Sequence, residues 1–117
     1  MMVKEGRVFI TDYIARADVE REVLGNDLAD SLHDEIEIIL VWHEKIDKAY
    51  IDALPNLKGI VRYGVGYDNL DISYANNKNI FTCNTPDYGT EEVSDTAICM
   101  ILNISRGVNR YAYHFRN

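Results

Sequence analysis

The sequence has few residues of the kinds that mark disulfide-rich or metal-binding proteins. It contains only two cysteines, Cys83 and Cys99, and no Cys-x-x-Cys pair, so a disulfide framework is not expected. Each cysteine lies in an apolar run, which predicts that both are buried as small apolar side chains. The three histidines are scattered along the chain, and this argues against a metal site.

Positive charge is also scarce. The chain has 12 lysines and arginines against 19 aspartates and glutamates, which gives a net charge of −7. Because phosphate backbones and anionic membranes bind basic surfaces, we expect neither nucleic acid nor a membrane surface as a partner. No apolar run is long enough to span a bilayer or to act as a signal peptide, which favours a soluble, cytoplasmic protein.

What the sequence does contain is an alternation of apolar strands and amphipathic helices, in 117 residues that suffice for one domain. Strands are predicted at 7–12, 36–42, 59–61 and 80–83. Helices are predicted at 17–24, 27–32, 47–54 and 72–77, followed by a long helix that Thr90 caps. Strands and helices in this order form a parallel sheet, so we predict an α/β fold with helices on both faces.

The segment 58–69 runs from a buried strand into a loop with two glycines, Gly64 and Gly66. We expect both glycines to adopt backbone angles that other residues resist. Ligands of α/β proteins bind beyond the carboxyl ends of strands, where successive free N–H groups form an anion site. Arg62, at the end of the strand, offers a planar cationic fork for a carboxylate. The segment predicts a small-carboxylate site, and an ordinary glycine-containing turn is the alternative.

The last helix is predicted to extend from Thr90 to about Tyr111, a length of about 30 Å. Residues 97–102 are apolar around the whole circumference of this helix, so each side needs a cover. We infer that a second domain or a dimer partner packs on it. The alternative is a helix buried within this domain.

Three segments, 54–71, 84–86 and 90–95, resemble the first domain of the D-isomer-specific 2-hydroxyacid dehydrogenases, especially phosphoglycerate dehydrogenases and C-terminal-binding proteins. The resemblance implies that 1–117 is a flavodoxin-like substrate domain, which in the family accompanies a Rossmann domain that binds NAD or NADP. Helix 90–111 would then be a long carboxyl-terminal connector between the domains and the interface of a homodimer.

The resemblance also assigns substrate contacts. It implies that the loop containing Gly64 presents the N–H groups of Val65 and Gly66 to the carboxylate of a small 2-hydroxy or 2-keto acid. Arg62 and His43 occupy positions that face the substrate in related proteins. A role for His43 as proton carrier stays open beside this pocket-lining role.

The cofactor side of the family site is represented by Val93 alone, at a position that touches the nicotinamide in the family. The Gly-x-Gly-x-x-Gly turn and the family's catalytic arginine, acidic residue and histidine have no counterpart here. We therefore assign no catalytic residue and expect a truncated chain that lacks the Rossmann domain. Such a chain would supply the substrate domain of an oxidoreductase acting on the CH–OH group of a D-2-hydroxy acid, without turnover of its own.

Two other functions remain open from the sequence. The chain could be a non-catalytic module that binds a small acid or dimerises through helix 90–111. A phosphoacceptor receiver domain is the second, because the first strand ends in Asp12. Such a domain needs an aspartate after the third strand, where this sequence has Arg62 and Tyr63.

Overall fold

The computed structural model describes residues 6–12 and 16–116. The chain divides into two compact units, Met1–Pro86 and Asp87–Asn117. The first unit holds four strands, which are β1 (Val8–Ile10), β2 (Ile38–Val41), β3 (Gly59–Arg62) and β4 (Phe81–Asn84). Its helices are α1 (Asp18–Leu24), a 3₁₀ turn (Gly25–Asp27), α2 (Lys48–Asp52) and α3 (Ile72–Asn77), and the second unit holds α4 (Thr90–Arg106) and α5 (Val108–Arg116).

The four strands form one parallel sheet in the order β1-β2-β3-β4. On the outer side of β1, Leu28 forms an isolated parallel bridge with Val8. If Leu28 is counted as a one-residue strand, the order becomes 2-1-3-4-5, which is that of flavodoxin-like sheets. The predicted parallel α/β fold is confirmed. The predicted helix at 27–32 is wrong, because Leu28 is extended and Ala29 donates a 2.8 Å hydrogen bond to the Val8 carbonyl.

The hydrophobic core lies on one face of the sheet, under α2 and α3. Ile39 and Ile60 point from β2 and β3 into a cluster with Ile51 of α2 and Ala75 of α3, and all four are buried. Each fully buried isoleucine contributes about 1.5–3 kcal/mol to folding. Both helices begin at capping aspartates, Asp47 and Asp71, and the Asp71 carboxylate accepts a hydrogen bond from the Tyr74 N–H at 3.0 Å.

The opposite face carries α1 and is only partly covered. Val19 of α1 lines an apolar groove with Ile38 and Val61 of the sheet, yet it remains 69% exposed. In β4, Phe81 is 84% exposed and Cys83 is also exposed. The expectation that both cysteines are buried is therefore wrong: Cys83 belongs to this uncovered part of the sheet, and Cys99 is exposed on α4.

The second unit contains two helices where the sequence predicted one long helix over 90–111. Gly107 ends α4 in a left-handed conformation, with φ of +66°, and its N–H donates to the carbonyls of Asn103 and Ile104. This is the usual glycine stop of a helix. The amino-terminal cap also differs, because Gly89 occupies the cap position and Thr90 is the first helical residue. No helix among the described residues has the length and apolarity to cross a membrane.

Candidate functional site

The carboxyl ends of β2, β3 and β4 meet at one edge of the sheet. Val41, Arg62 and Asn84 are paired neighbours in the ladder, so the loops that follow them leave the sheet side by side. The N–H of Tyr63 extends the ladder by one bond, donating to the Val41 carbonyl at 2.7 Å. In open α/β sheets this edge is where ligands bind.

The loop after β3 is held by Asn84, the last residue of β4, and by Thr85, which follows it. The side-chain amide of Asn84 donates to the Val65 carbonyl at 2.8 Å, and the N–H of Thr85 donates to the Gly64 carbonyl at 3.2 Å. The hydroxyl of Thr85 adds a bond to the Arg62 carbonyl at 3.3 Å. The carbonyl groups of Arg62, Gly64 and Val65 are thus engaged with the protein.

A run of successive N–H groups in this loop, beginning with those of Val65 and Gly66, has no hydrogen-bond partner among the described residues. Within 6–12 and 16–116, nothing accepts a hydrogen bond from the N–H of Val65 or of Gly66, and both residues are exposed. The N–H of Gly64, in contrast, donates to the Arg62 carbonyl at 3.0 Å. Successive unpaired N–H groups concentrate positive partial charge and attract anions. The predicted carboxylate donors, Val65 and Gly66, therefore have free donor capacity.

The glycines serve this loop by their size. The prediction of unusual backbone angles is wrong, because the described glycines with positive φ are Gly25 and Gly107. A Cβ on Gly64 would lie 2.0 Å from Nη1 of Arg62, so the missing side chain makes room for the guanidinium. A Cβ on Gly66 would meet nothing within 4 Å, so the space on that side of its Cα is open.

The guanidinium of Arg62 folds back over this loop. Its Nη1 donates to the Tyr63 carbonyl at 2.6 Å, and its Nε donates to Oδ1 of Asn69 at 3.3 Å. Its Nη2 has no partner among the described residues. Arg62 thus supplies positive charge beside the free N–H groups while part of its fork stabilises the loop.

The loop after β2 is organised by Asp12, which follows β1. The Asp12 carboxylate accepts hydrogen bonds from three successive N–H groups, those of Trp42 at 2.7 Å, His43, and Glu44 at 3.1 Å. Burial raises the pKa of this carboxyl, but these bonds together with one from Thr11 outweigh burial, and the net effect lowers the pKa. Asp12 is therefore committed to holding a loop, which leaves the receiver-domain alternative without support.

His43 lies at the same edge as the loop after β3. Its side chain is exposed, and its ring centroid is 5.5 Å from that of Trp42. Asn69 connects the two loops, since its Nδ2 donates to the Glu44 carbonyl at 2.8 Å and its Oδ1 accepts from Arg62. The predicted carboxylate site did not include Asn69 or Asn84, and the sequence suggested Asp12 only as a phosphoacceptor. Asn69 and Asn84 lay inside the segments that carried the family resemblance, but nothing in the sequence alone identified their partners.

Tyr63 anchors α1 to this edge. Its hydroxyl donates to Oε1 of Glu20 at 3.1 Å. Burial, together with the neighbouring Glu20 carboxylate, raises the pKa of Tyr63 to about 12. Tyr63 is therefore neutral at physiological pH and acts as a hydrogen-bond donor.

The remaining predicted residue, Val93, belongs to the second compact unit. It lies in the first turn of α4, and its side chain is 69% exposed. An exposed apolar side chain is suited to contact with a planar ring, and its predicted role at the nicotinamide remains a prediction. Among the described residues, no group of three or more His, Cys, Asp or Glu side chains could hold a metal ion.

Among known proteins, the chain is similar to glyoxylate reductases and other 2-hydroxyacid dehydrogenases. A glyoxylate reductase from Thermococcus kodakarensis is 34% identical over 87 residues, which are 74% of this chain and 26% of that relative. Among solved structures, an NAD⁺-bound 3-phosphoglycerate dehydrogenase from Entamoeba histolytica is 26% identical, with a TM-score of 0.67, over 85% of this chain and 39% of that one. An NADPH-dependent glyoxylate/hydroxypyruvate reductase from Sinorhizobium meliloti, solved with citrate, is 28% identical, with a TM-score of 0.76, over 97% of this chain and 39% of that one.

The extent of these matches defines what the chain corresponds to. It spans about a quarter of the length of the curated relatives it matches. The sequence pattern of the D-isomer specific 2-hydroxyacid dehydrogenase catalytic domain matches residues 4–113, which is nearly the whole chain. The four-stranded parallel sheet and its flanking helices are shared with solved members. The chain therefore belongs to the D-isomer specific 2-hydroxyacid dehydrogenase family, within its catalytic domain.

Proposed function

We propose that this chain binds the carboxylate of a small 2-hydroxy or 2-keto acid for an NAD- or NADP-dependent oxidoreductase that acts on the CH–OH group of a D-2-hydroxy acid. The observation that carries the proposal is the run of N–H groups, beginning at Val65 and Gly66, that have no partner among the described residues. They lie at the sheet edge where α/β proteins bind ligands. The names of the relatives, glyoxylate reductase among them, agree with an acid of this class.

In this proposal the protein orients the substrate by its carboxylate. The N–H groups of Val65 and Gly66 each donate to a carboxylate oxygen, and Arg62 adds charge through its free Nη2. Holding the carboxylate leaves C2 of the acid in a fixed position, which can contribute greatly to the rate of a reaction there. His43 lines the same edge as a pocket residue.

The residues present fit a nicotinamide cofactor only in part. Val93 offers an exposed apolar contact, but the 117 residues contain no Gly-x-Gly-x-x-Gly turn to hold a diphosphate. A nicotinamide, when bound, supplies the hydride exchange at C2 of the acid. We assign to this chain the positioning of the acid and no proton transfer, so the 117-residue chain alone should oxidise no 2-hydroxy acid.

The carboxylate site can be tested directly by titrating the ¹⁵N-labelled chain with glyoxylate. We expect the amide resonances of Val65 and Gly66 to shift most. We expect Gly66→Ala to weaken glyoxylate binding about tenfold, or about 1.4 kcal/mol, because the added methyl is next to the N–H that would donate to the carboxylate and reaches into space that is otherwise open.

A matched control is Gly59→Ala. It adds the same methyl within β3, where the nearest atom, Cγ1 of Ile38, lies at an ordinary contact distance of 3.6 Å. We expect this variant to bind glyoxylate like the parent chain. The carboxylate site would be refuted if glyoxylate left Val65 and Gly66 unshifted, or if both variants weakened binding equally.

We also propose that the chain forms a homodimer through α4. This helix exposes large apolar side chains along its length, among them Val93, Ile98, Met100, Ile101 and Leu102. Contiguous exposed apolar surface of this kind marks a protein–protein interface.

A further inference from the structure

Two side chains outside the predicted site connect the loops that form it. Asp12 follows β1, and Asn69 lies in the loop that connects β3 to α3. Together with residues 42–44 and Arg62 they form a hydrogen-bonded chain, here termed the loop-bridging network. No hydrogen bond in this network involves the N–H of Val65 or of Gly66.

The Asp12 end of the network requires a carboxylate. Oδ1 accepts from the N–H of Trp42, and Oδ2 accepts from those of His43 and Glu44, so both oxygens face donors. A carboxylate has about four acceptor positions, and an asparagine side chain of the same shape has one oxygen and one donor group. Asp12→Asn would therefore place a donor against at least one backbone donor.

The Asn69 end requires an amide. Its Nδ2 donates to the carbonyls of Glu44, at 2.8 Å, and Trp42, at 3.4 Å. Its Oδ1 accepts from Nε of Arg62 at 3.3 Å. A carboxylate here would keep the bond to Arg62 but would place an oxygen against the two carbonyls. Asn69→Asp therefore removes the hydrogen bonds from Asn69 to the loop after β2 and keeps the bond to Arg62.

Arg62 carries the network into the carboxylate site. Its Nη1 donates to the carbonyl of Tyr63, the residue that precedes Gly64. A Cβ on Gly64 would lie 2.0 Å from Nη1 of Arg62, so the guanidinium fills the space beside this glycine. A shift of Arg62 therefore also changes the packing of this loop. The position of Asn69 thus affects the backbone just before Val65 and Gly66.

We propose that Asp12 and Asn69 are positioning residues, which fix the loop after β2 and the loop after β3 relative to each other. They act on the N–H groups of Val65 and Gly66, and on His43, without touching the acid. The expected effect of these two residues on ligand affinity rests on the proposed function. Their expected effect on the position of the loops does not. Small displacements of positioned groups have large consequences for binding and reaction.

The test compares ¹⁵N amide spectra of the full chain and its Asp12→Asn and Asn69→Asp variants, first without ligand and then with glyoxylate. Without ligand, both variants should shift the Val65 and Gly66 resonances. With glyoxylate, both should raise the dissociation constant about tenfold, which corresponds to the loss of one good hydrogen bond. Arg62→Lys, which lacks Nε, provides a third break and should shift the same two resonances.

Two substitutions of the same chemistry outside the network serve as controls. Asp47→Asn changes a carboxylate that accepts from the Tyr50 N–H at the start of α2. Asn56→Asp changes an amide that donates to the Asp34 carbonyl at 2.9 Å. Neither should move the Val65 and Gly66 resonances or the affinity for glyoxylate.

Each outcome decides the matter. Unchanged Val65 and Gly66 resonances in Asn69→Asp and Arg62→Lys would overturn the positioning role, and so would equal shifts in the controls. If Asp12→Asn does not fold, the two other variants still give the answer. If the parent chain binds no glyoxylate, the proposed function fails, while the ligand-free spectra still decide whether the network positions the loop.

Discussion

The Asp12 carboxylate binds N–H groups that lie 30, 31 and 32 residues further along the chain. One residue after β1 thereby determines the shape of the loop after β2. Hydrogen bonds to a charged group are stronger than those between neutral groups, at about 1.5–3 kcal/mol each. The cost of losing this carboxylate should exceed that of an ordinary surface substitution.

The lowered pKa of Asp12 makes this contribution depend on pH. Because the pKa is lower in the folded than in the unfolded chain, the stabilisation is complete above the unfolded value, about 4. It is lost as the pH falls through the folded value. We expect the parent chain to exceed Asp12→Asn by about 2 kcal/mol in free energy of unfolding at pH 7. Urea denaturation at pH 7 and pH 3 should find a smaller difference at pH 3, and a difference independent of pH would contradict this account.

At the scale of secondary-structure elements, the strands were predictable from local composition. The runs at 38–41 and 59–62 are rich in β-branched apolar residues and became β2 and β3. Leu28 was harder to place, because its extended conformation comes from pairing with Val8. Local patterns cannot reveal such a long-range partner, and for the same reason the contacts of Asp12 and Asn69 could not be predicted.

The predicted length of the last helix was wrong for a different reason. Helix-compatible residues continue on both sides of Gly107, so the periodic pattern gave no boundary. The stop depends on this one residue and its positive φ of 66°. A single glycine within a helical pattern is compatible with either continuation or a cap.

Gly107→Ala should destabilise the second unit by about 1 kcal/mol, because a Cβ is unfavourable in the left-handed region. The measurement is urea denaturation followed by far-ultraviolet circular dichroism. Ser105→Ala is the control, since it adds alanine within α4 at ordinary helical angles and should leave stability unchanged or slightly higher. If Gly107→Ala were as stable as the parent, this would indicate that α4 and α5 can continue as one helix, with no loss of stability from the Cβ at residue 107.

At the scale of the whole molecule, the apolar surface of α4 is the feature that calls for a partner. Ile101 is 65% exposed, and Ile104 is 82% exposed. The sequence anticipated this surface from the apolar run at 97–102, and the family resemblance associated it with a connector and a dimer interface. The sequence pattern predicts this apolar surface, but it does not predict which molecule covers it, because that depends on residues outside the pattern.

We expect Ile101→Glu to weaken self-association at least tenfold, because a buried unpaired carboxylate is costly at an apolar interface. Sedimentation velocity over a range of protein concentrations provides the measurement. Thr96→Glu adds the same charge at another exposed position of α4 and serves as the control. A parent chain that stays monomeric at every concentration would rule out the dimer.

The unequal cover of the two sheet faces has a consequence for the substitutions that each strand can accept. Ile39 and Ile60 are enclosed in the core, while Ile38 is 36% exposed and Phe81 is 84% exposed on the opposite face. Tolerance to polar replacement should therefore differ between the neighbouring residues Ile38 and Ile39, while the rest of β2 is buried. A saturation library scored for soluble expression should recover polar variants at Ile38 and deplete them at Ile39.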